Sequence, residues 1–166
     1  MLKYFALIIF LAIPSVSSAG VTIHYSGKVS DISKVQQVLN RARTYAADRK
    51  WKVDSIRGGI KIHPHEWCEP IKLVFKGSAL TEDFVKTQFA GPAVHKEVVG
   101  LFKAIKPLMR ILEVEDECEY WETGDYEKLK ANINKTNEVI KNHKAENPRL
   151  RGPSKLPSGL IVDLLE

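Results

Sequence analysis

The segment GGIKIHPHEWCEP, residues 58–70, concentrates side chains that often bind metals or transfer protons. His63 and His65 are two positions apart, so on a β-strand both imidazoles point to the same face. Together with the Cys68 thiolate they could bind zinc, and no other cofactor is predicted. Pro64 separates the histidines, however, and no further histidine follows at a fixed ligand spacing. We therefore favour a strand end and turn with solvated polar side chains over a metal site.

A second group of candidate residues precedes a predicted helix. Lys86, Thr87 and Gln88 lie just before Gly91-Pro92, where a helix is expected to begin. Free backbone amides at a helix N-terminus, with a lysine nearby, attract anions. The glycine-rich pattern of a Walker phosphate loop is missing from this segment.

The segment ILEVEDECEYWET, residues 111–123, alternates with the period of a β-strand. It places four glutamates on one face, namely Glu113, Glu115, Glu117 and Glu119. Asp116 is a charge on the face that is otherwise apolar. We favour a cross-strand charge lattice that solvates the sheet and protects an edge strand. The alternative is an acidic patch that binds a cationic ligand, a divalent metal or a basic partner.

The N-terminus, residues 1–19, has the pattern of a secretory signal peptide. Lys3 is a short positive region, and the apolar run 4–13 is half of the roughly 20 residues that span a bilayer. Small residues at 17–19 suit signal cleavage after Ala19. We predict a periplasmic or secreted protein with no membrane span after cleavage.

The rest of the chain suits a single domain, residues 20–146, followed by a linker and C-terminal strand or tail, residues 147–166. The formal net charge is +5, and basic and acidic residues are interspersed without a lysine or arginine stripe. Nucleic acid is therefore not an expected partner.

Periodicity predicts the order β-α-β-β-α-β, which is typical of an α+β, ferredoxin-like (split β-α-β) antiparallel sheet with helices on one face. The strands are expected at 21–29, 60–63, 69–77 and 111–123, and the helices at 31–49 and from Pro92. Residues 51–56 are a candidate for a further short strand that ends before Gly58-Gly59. Residues 82–90 are ambiguous between an extra strand and a loop. An additional helix begins near Gly124-Asp125 and should lie on the outside. The expected spatial order of the strands is fourth, first, third, second.

In this topology the second and fourth strands run in the same direction, so the segments HPHEWCE and YWETGD emerge at one end of the sheet. The candidate ligand-binding residues are His63, His65, Glu66, Trp67, Glu69, Lys86, Thr87, Gln88, Trp121, Glu122 and Asp125.

The two cysteines, Cys68 and Cys118, permit a disulfide in an oxidising compartment. The expected strand order separates the start of the third strand from the fourth by roughly 10 Å, across the first strand. The bond forms only if the loop folds over, since disulfide Cα atoms lie about 4.4–6.8 Å apart. The pairing is left open.

The strings PHEWCEP, FVKTQFAG and EYWETGD resemble those of a family of small uncharacterised bacterial proteins, over most of residues 51–130. The resemblance implies no activity and no catalytic residue. It implies only that a shared function would be sought at these three strings.

Three functions fit the sequence, and an exported binding or protein-interaction module for an unknown small molecule or protein is favoured. The alternatives are a metal-dependent or acid–base hydrolase using the His63/His65 end, and a periplasmic immunity or inhibitor protein that masks a toxin. Convergence of His63, His65 and carboxylates or a thiolate on one centre would support the hydrolase. A concave, aromatic-lined pocket would support a binding module.

Overall fold

The computed structural model describes residues 21–165, so the predicted signal peptide lies outside the described residues. The chain is mixed α+β, with one six-stranded antiparallel sheet and a short C-terminal hairpin. The strands are β1 (Thr22–Lys28), β2 (Lys52–Ile56), β3 (Gly59–His63), β4 (Ile71–Lys76), β5 (Ala79–Lys86), β6 (Ile111–Asp116), β7 (Ser154–Lys155) and β8 (Ile161–Val162). The helices are α1 (Val35–Asp48), α2 (Pro92–Ile105), α3 (Tyr120–Thr123) and α4 (Tyr126–Glu146).

The order of the strands across the sheet is β2-β3-β4-β5-β1-β6, and a ferredoxin-like order is not confirmed. The predicted pairing of the first and last strands is present as β1 with β6. The first and third predicted strands are not neighbours, because β5 lies between β1 and β4. The ambiguous segment thus supplies a central strand, joined to β4 by a tight turn at Gly77 with φ of +61°.

Apolar periodicity places the helices where the sequence predicts them. The α1 residues Val38, Leu39, Ala42 and Ala46 are buried, as are Val98, Leu101, Phe102 and Ile105 of α2. Asp125 caps α4, since its Oδ1 accepts the N–H of Lys128 at 2.9 Å. Within residues 21–165, none of the helices has both the length and the apolarity needed to cross a membrane.

The sheet is nearly divided between β4 and β5, which pair only at Phe75↔Leu80 and Lys76↔Ala79. The Tyr25 side chain of β1 fills the opening. Its hydroxyl accepts the N–H of Lys72 at 3.0 Å and donates to the Lys72 carbonyl at 3.1 Å. Burial raises the pKa of this phenol well above its usual range. A side chain therefore replaces the missing strand-to-strand hydrogen bonds.

The C-terminal segment folds back onto the sheet through the β7–β8 hairpin. Lys86 Nζ binds Asp163 Oδ1 at 2.9 Å, and both side chains are mostly buried. The N–H of Ile161 donates to Glu69 Oε1 at 2.8 Å, and the Ile161 side chain is buried. Residues 154–165, the C-terminal tail, therefore pack against the sheet.

Candidate functional site

The two halves of the sheet face opposite α1 and α2 differ in charge, although Asp54 lies among the lysines of one half and Lys28 lies on the other half. Alternation and cross-strand register give the half formed by β2, β3 and β4 four lysines, Lys52, Lys61, Lys72 and Lys76. The half formed by β5, β1 and β6 carries Glu82, Glu113 and Glu115, with Glu117 just beyond the strand. Within the basic half, Lys61 and Lys72 lie directly opposite each other.

A groove runs along β1 on the acidic half of this face. It consists of two open depressions of about 490 and 530 Å³, and His24 lines both. We call this surface the acidic groove; its defining residues are His24, Ser26, Glu82, Phe84, Glu113, Glu115, Glu117 and tail residues Leu160–Leu164.

Aromatic rings and carboxylates line the acidic groove together. The His24 and Phe84 rings lie 5.8 Å apart, and Phe84 is 39% exposed although it lies on a central strand. Ser26 Oγ donates to Glu113 Oε2 at 3.2 Å. Across the ladder, His24 faces Glu115. A ligand with both an apolar part and a positive charge fits these groups.

Glu117 is the carboxylate that lines the groove together with the C-terminal tail. Burial raises its pKa, although the Thr22 N–H donates to Oε2 at 2.8 Å and the charges of His24 and Lys86 oppose the shift. Desolvation of the ionised form thus outweighs the compensation that these groups supply. A cation bound beside Glu117 would stabilise its charged form.

The side chains of the predicted His63 end each have a separate partner. His63 Nε2 is 2.9 Å from Asp54 Oδ2, whereas His65 Nδ1 accepts the N–H of Trp67 at 3.1 Å. Hydrogen bonds from His63 and Lys52 lower the pKa of Asp54. Within residues 21–165, no three histidine, cysteine or acidic side chains are placed to bind a metal ion.

Cys68 is buried, and its thiol donates to the carbonyl of Glu69 at 3.3 Å. Burial raises its pKa well above the usual range, which disfavours the thiolate that zinc requires. Cys118 is also buried, and burial together with Asp116 raises its pKa to about 12. Both cysteines are free, so the disulfide left open by the sequence is not formed.

Strand order explains the separation of the cysteines. As predicted, β3 and β6 run in the same direction, so the segments after them leave one end of the sheet. Because β5 is an additional strand, the start of β4 and the end of β6 are three strand spacings apart, about 14 Å.

Thr87 and Gln88 are fully buried and belong to a polar network. Thr87 Oγ1 is 2.7 Å from His95 Nδ1, and His95 Nε2 is 3.0 Å from Asp116 Oδ2. The Gln88 amide accepts from the Val21 N–H at 3.2 Å and donates to Asn137. These residues connect the start of β1 to β6 and α4.

Asp116 is the acceptor at the centre of this network. Its oxygens receive the backbone N–H groups of Cys118 and Trp121, both at 2.9 Å, in addition to His95. Burial by itself raises the pKa of Asp116, but the hydrogen bond and charge of His95, with the two backbone donors, lower it overall. The carboxylate is thus held ionised by groups that surround it.

The order threonine, histidine, aspartate matches that of a nucleophile, a base and an orienting acid. Here the His95 and Asp116 side chains are 0% exposed, and Thr87 is likewise buried. None of the three lines the acidic groove. Their arrangement therefore cross-links the fold and offers no nucleophile to a substrate.

The remaining candidates lie at several separate places. Glu66, Glu122 and Asp125 are exposed, and Trp67 is 37% exposed. Glu69 and Lys86 bind the C-terminal tail. Trp121 lies beside β6, with Lys106 Nζ 5.1 Å from its ring centre. The predicted site is thus divided, and only Glu69, Lys86 and Trp121 line parts of the groove.

His24, Ser26, Phe84 and the tail are groove residues that were not among the candidates. The alternation of β1 indicated that His24 lies on the open face of the sheet. Phe84 could not be placed in the same way, because it lies in β5, the segment that the sequence left ambiguous between strand and loop. Two features of the sequence pointed to the buried hydrogen bond between His95 and Asp116. Asp116 interrupts an apolar strand face, and His95 lies one position from the apolar stripe of α2.

Comparisons with protein-family models, curated proteins and solved structures find no match for this chain. Function is therefore inferred from the geometry of the site.

Proposed function

We propose that this protein is a small exported interaction module that binds a cationic partner in the acidic groove. The observation that carries the proposal is the combination of four carboxylates, the half-buried His24 ring beside the exposed Phe84 ring, and a concave surface on one half of an open sheet face. Alternating polar residues are enough to keep an open sheet face solvated. A groove that also contains aromatic rings is therefore not explained by solubility alone.

The local charge is opposite to the charge of the whole chain. The formal net charge is +5, yet the groove contains Glu82, Glu113, Glu115 and Glu117. The lysine at its end, Lys86, is neutralised by Asp163. Segregated charge of this kind attracts a positive ligand although the protein as a whole repels it.

The first prediction concerns binding of a capped tetralysine peptide, measured by calorimetry at low salt. We expect saturable binding that weakens as salt is added, because exposed charges are screened. The double variant Glu113→Gln, Glu115→Gln should bind about tenfold more weakly, since each lost ion pair contributes roughly 0.5–1 kcal/mol.

The matched control replaces two exposed glutamates of α4, Glu127→Gln and Glu138→Gln, and changes net charge equally. It should leave the affinity within about twofold, because these residues lie outside the groove. Equal weakening by both double variants, or no saturable binding, would contradict the proposal.

The second prediction concerns export. The sequence pattern at residues 1–19 supports it, and Val21 is already buried at the start of the fold. Expression of the full chain with its leader in a bacterial host should give a periplasmic protein whose N-terminal residue, identified by mass spectrometry, is Gly20. A cytoplasmic product that retains Met1 would refute export without bearing on the groove.

A further inference from the structure

We propose that the free edge of β6 binds an extended basic segment of a partner protein as an added antiparallel strand. This inference rests on the proposed function and specifies the partner: a segment in which lysine or arginine alternates with apolar residues. It follows from the backbone of the edge and from the side chains on its two faces.

The backbone hydrogen bonds of β1 show which groups of β6 are free. The Val21 carbonyl accepts the N–H of Thr87 on the β5 side, and the Thr22 carbonyl accepts the N–H of Glu117 on the β6 side. The backbone groups of even-numbered β1 residues therefore form hydrogen bonds with β6. In this register each even-numbered residue of β1 lies opposite an odd-numbered residue of β6, so the odd-numbered residues of β6 are the ones bonded to β1.

Leu112 and Val114 consequently direct their N–H and C=O groups away from β1. β6 is the last strand of the sheet, and within residues 21–165 no other strand pairs with this side. Two residues with outward donors and acceptors form a template for strand addition.

The open face of this edge selects positive side chains. Glu113 and Glu115 are exposed there and are separated by two positions, a spacing of about 6.7 Å along a strand. An added strand repeats the same spacing, so its alternate side chains lie beside the two carboxylates. Lysine or arginine at these positions is complementary in charge.

The opposite face of the edge selects apolar side chains. Leu112 and Val114 are only partly buried, and together with Trp121 they pack against the hydrophobic core at this edge. Lys103 and Lys106 place their ammonium groups 5.8 and 5.1 Å from the Trp121 ring centre. Their charges repel a positive side chain on this face and leave apolar contact with the tryptophan.

A second copy of the chain does not fit the same edge through β6. Antiparallel pairing of two β6 strands would place Glu113 and Glu115 against the same glutamates of the other copy. Like charges directly opposite each other destabilise a sheet. The occupant is therefore a different protein with a basic strand.

The experiment uses the mature protein and capped seven-residue peptides of alternating lysine and valine. In the added strand, valine amides face β6 and lysine amides face solvent. N-methylation of the valine amides should weaken binding about tenfold or more, whereas N-methylation of the lysine amides should leave it nearly unchanged. A peptide with the same residues in two blocks should also bind more weakly.

A protein variant gives a second test. The N–H of Val114 points outward, so Val114→Pro removes an edge donor without removing a bond to β1. We expect it to bind the alternating peptide about tenfold more weakly, because the added strand loses a backbone donor of the edge; an unchanged affinity would contradict strand addition.

The outcomes separate the two proposals. Equal binding of both methylated peptides would overturn strand addition and leave the cationic groove in place. Absence of binding by the alternating peptide and by tetralysine would overturn both. Because the methylated peptides require no change in the protein, a folding defect in Val114→Pro leaves the test intact.

Discussion

The Asp116→Ala variant should lose about 3–5 kcal/mol of unfolding free energy, the largest effect that we expect from a single substitution. Removing the buried carboxylate leaves His95 without its hydrogen-bond partner, and losses of that order are typical when one member of a buried polar pair is removed. Here the substitution also leaves the N–H groups of Cys118 and Trp121 without their acceptor. Chemical denaturation followed by circular dichroism measures the effect.

Acidification should reproduce part of this loss. The pKa of Asp116 is lowered on folding from an ordinary value of 3.8, so its stabilising contribution is complete above that value. The contribution is lost as pH falls through the folded pKa. The difference in unfolding free energy between the native chain and Asp116→Asn should therefore shrink as pH decreases below about 4.

Glu115→Ala is the control for Asp116, because it removes an exposed carboxylate from the adjacent position of the same strand. We expect a change within about 0.5 kcal/mol, as is usual for surface substitutions. Similar losses in the two variants would show that the buried network does not stabilise the fold.

Glu69→Ala should have the second-largest effect, a loss of about 2–4 kcal/mol. The buried carboxylate accepts the N–H of Lys86 at 3.0 Å with one oxygen and the N–H of Ile161 at 2.8 Å with the other. A net contribution of roughly 1–2 kcal/mol from each of the two hydrogen bonds accounts for a loss of this size. Both connections between β5 and the C-terminal tail through this side chain are removed together.

Release of the tail distinguishes this variant from one with general destabilisation. In Glu69→Ala, trypsin should cleave after Arg151 and Lys155 under conditions where the rest of the chain stays intact. Glu66→Ala is the control, since Glu66 is exposed and receives the Lys155 ammonium through its backbone carbonyl. Equal cleavage of both variants would contradict the role of Glu69.

Helices were predictable because their stabilising contacts repeat with a period that the sequence shows directly. The buried positions of α1 and α2 follow that period, and Pro92 marks where α2 begins. Strand β5 was not predictable in the same way. Its apolar residues do not alternate regularly along the strand, because the register of its pairing with β1 shifts between Tyr25 and Gly27.

The proposed binding surface was predictable where it depends on one strand and unpredictable where it depends on several. Alternation alone placed Glu113 and Glu115 on one face, and the register confirms this. Glu119 lies beyond β6 with φ of +58°, so it does not share that face. The groove also needs Phe84 and the C-terminal tail, and their positions follow from long-range pairing.

The division of charge across the open sheet also affects how the protein meets a partner in solution. Lysines on β2, β3 and β4 and glutamates on β5 and β6 give the molecule a dipole directed across its strands. A charged partner exerts a torque on such a dipole before contact, at distances up to about 10 Å at moderate salt. A basic partner therefore turns the β6 edge towards itself during diffusion, and an acidic partner turns the β2 edge. The fold thus orients the encounter as well as forming the contact.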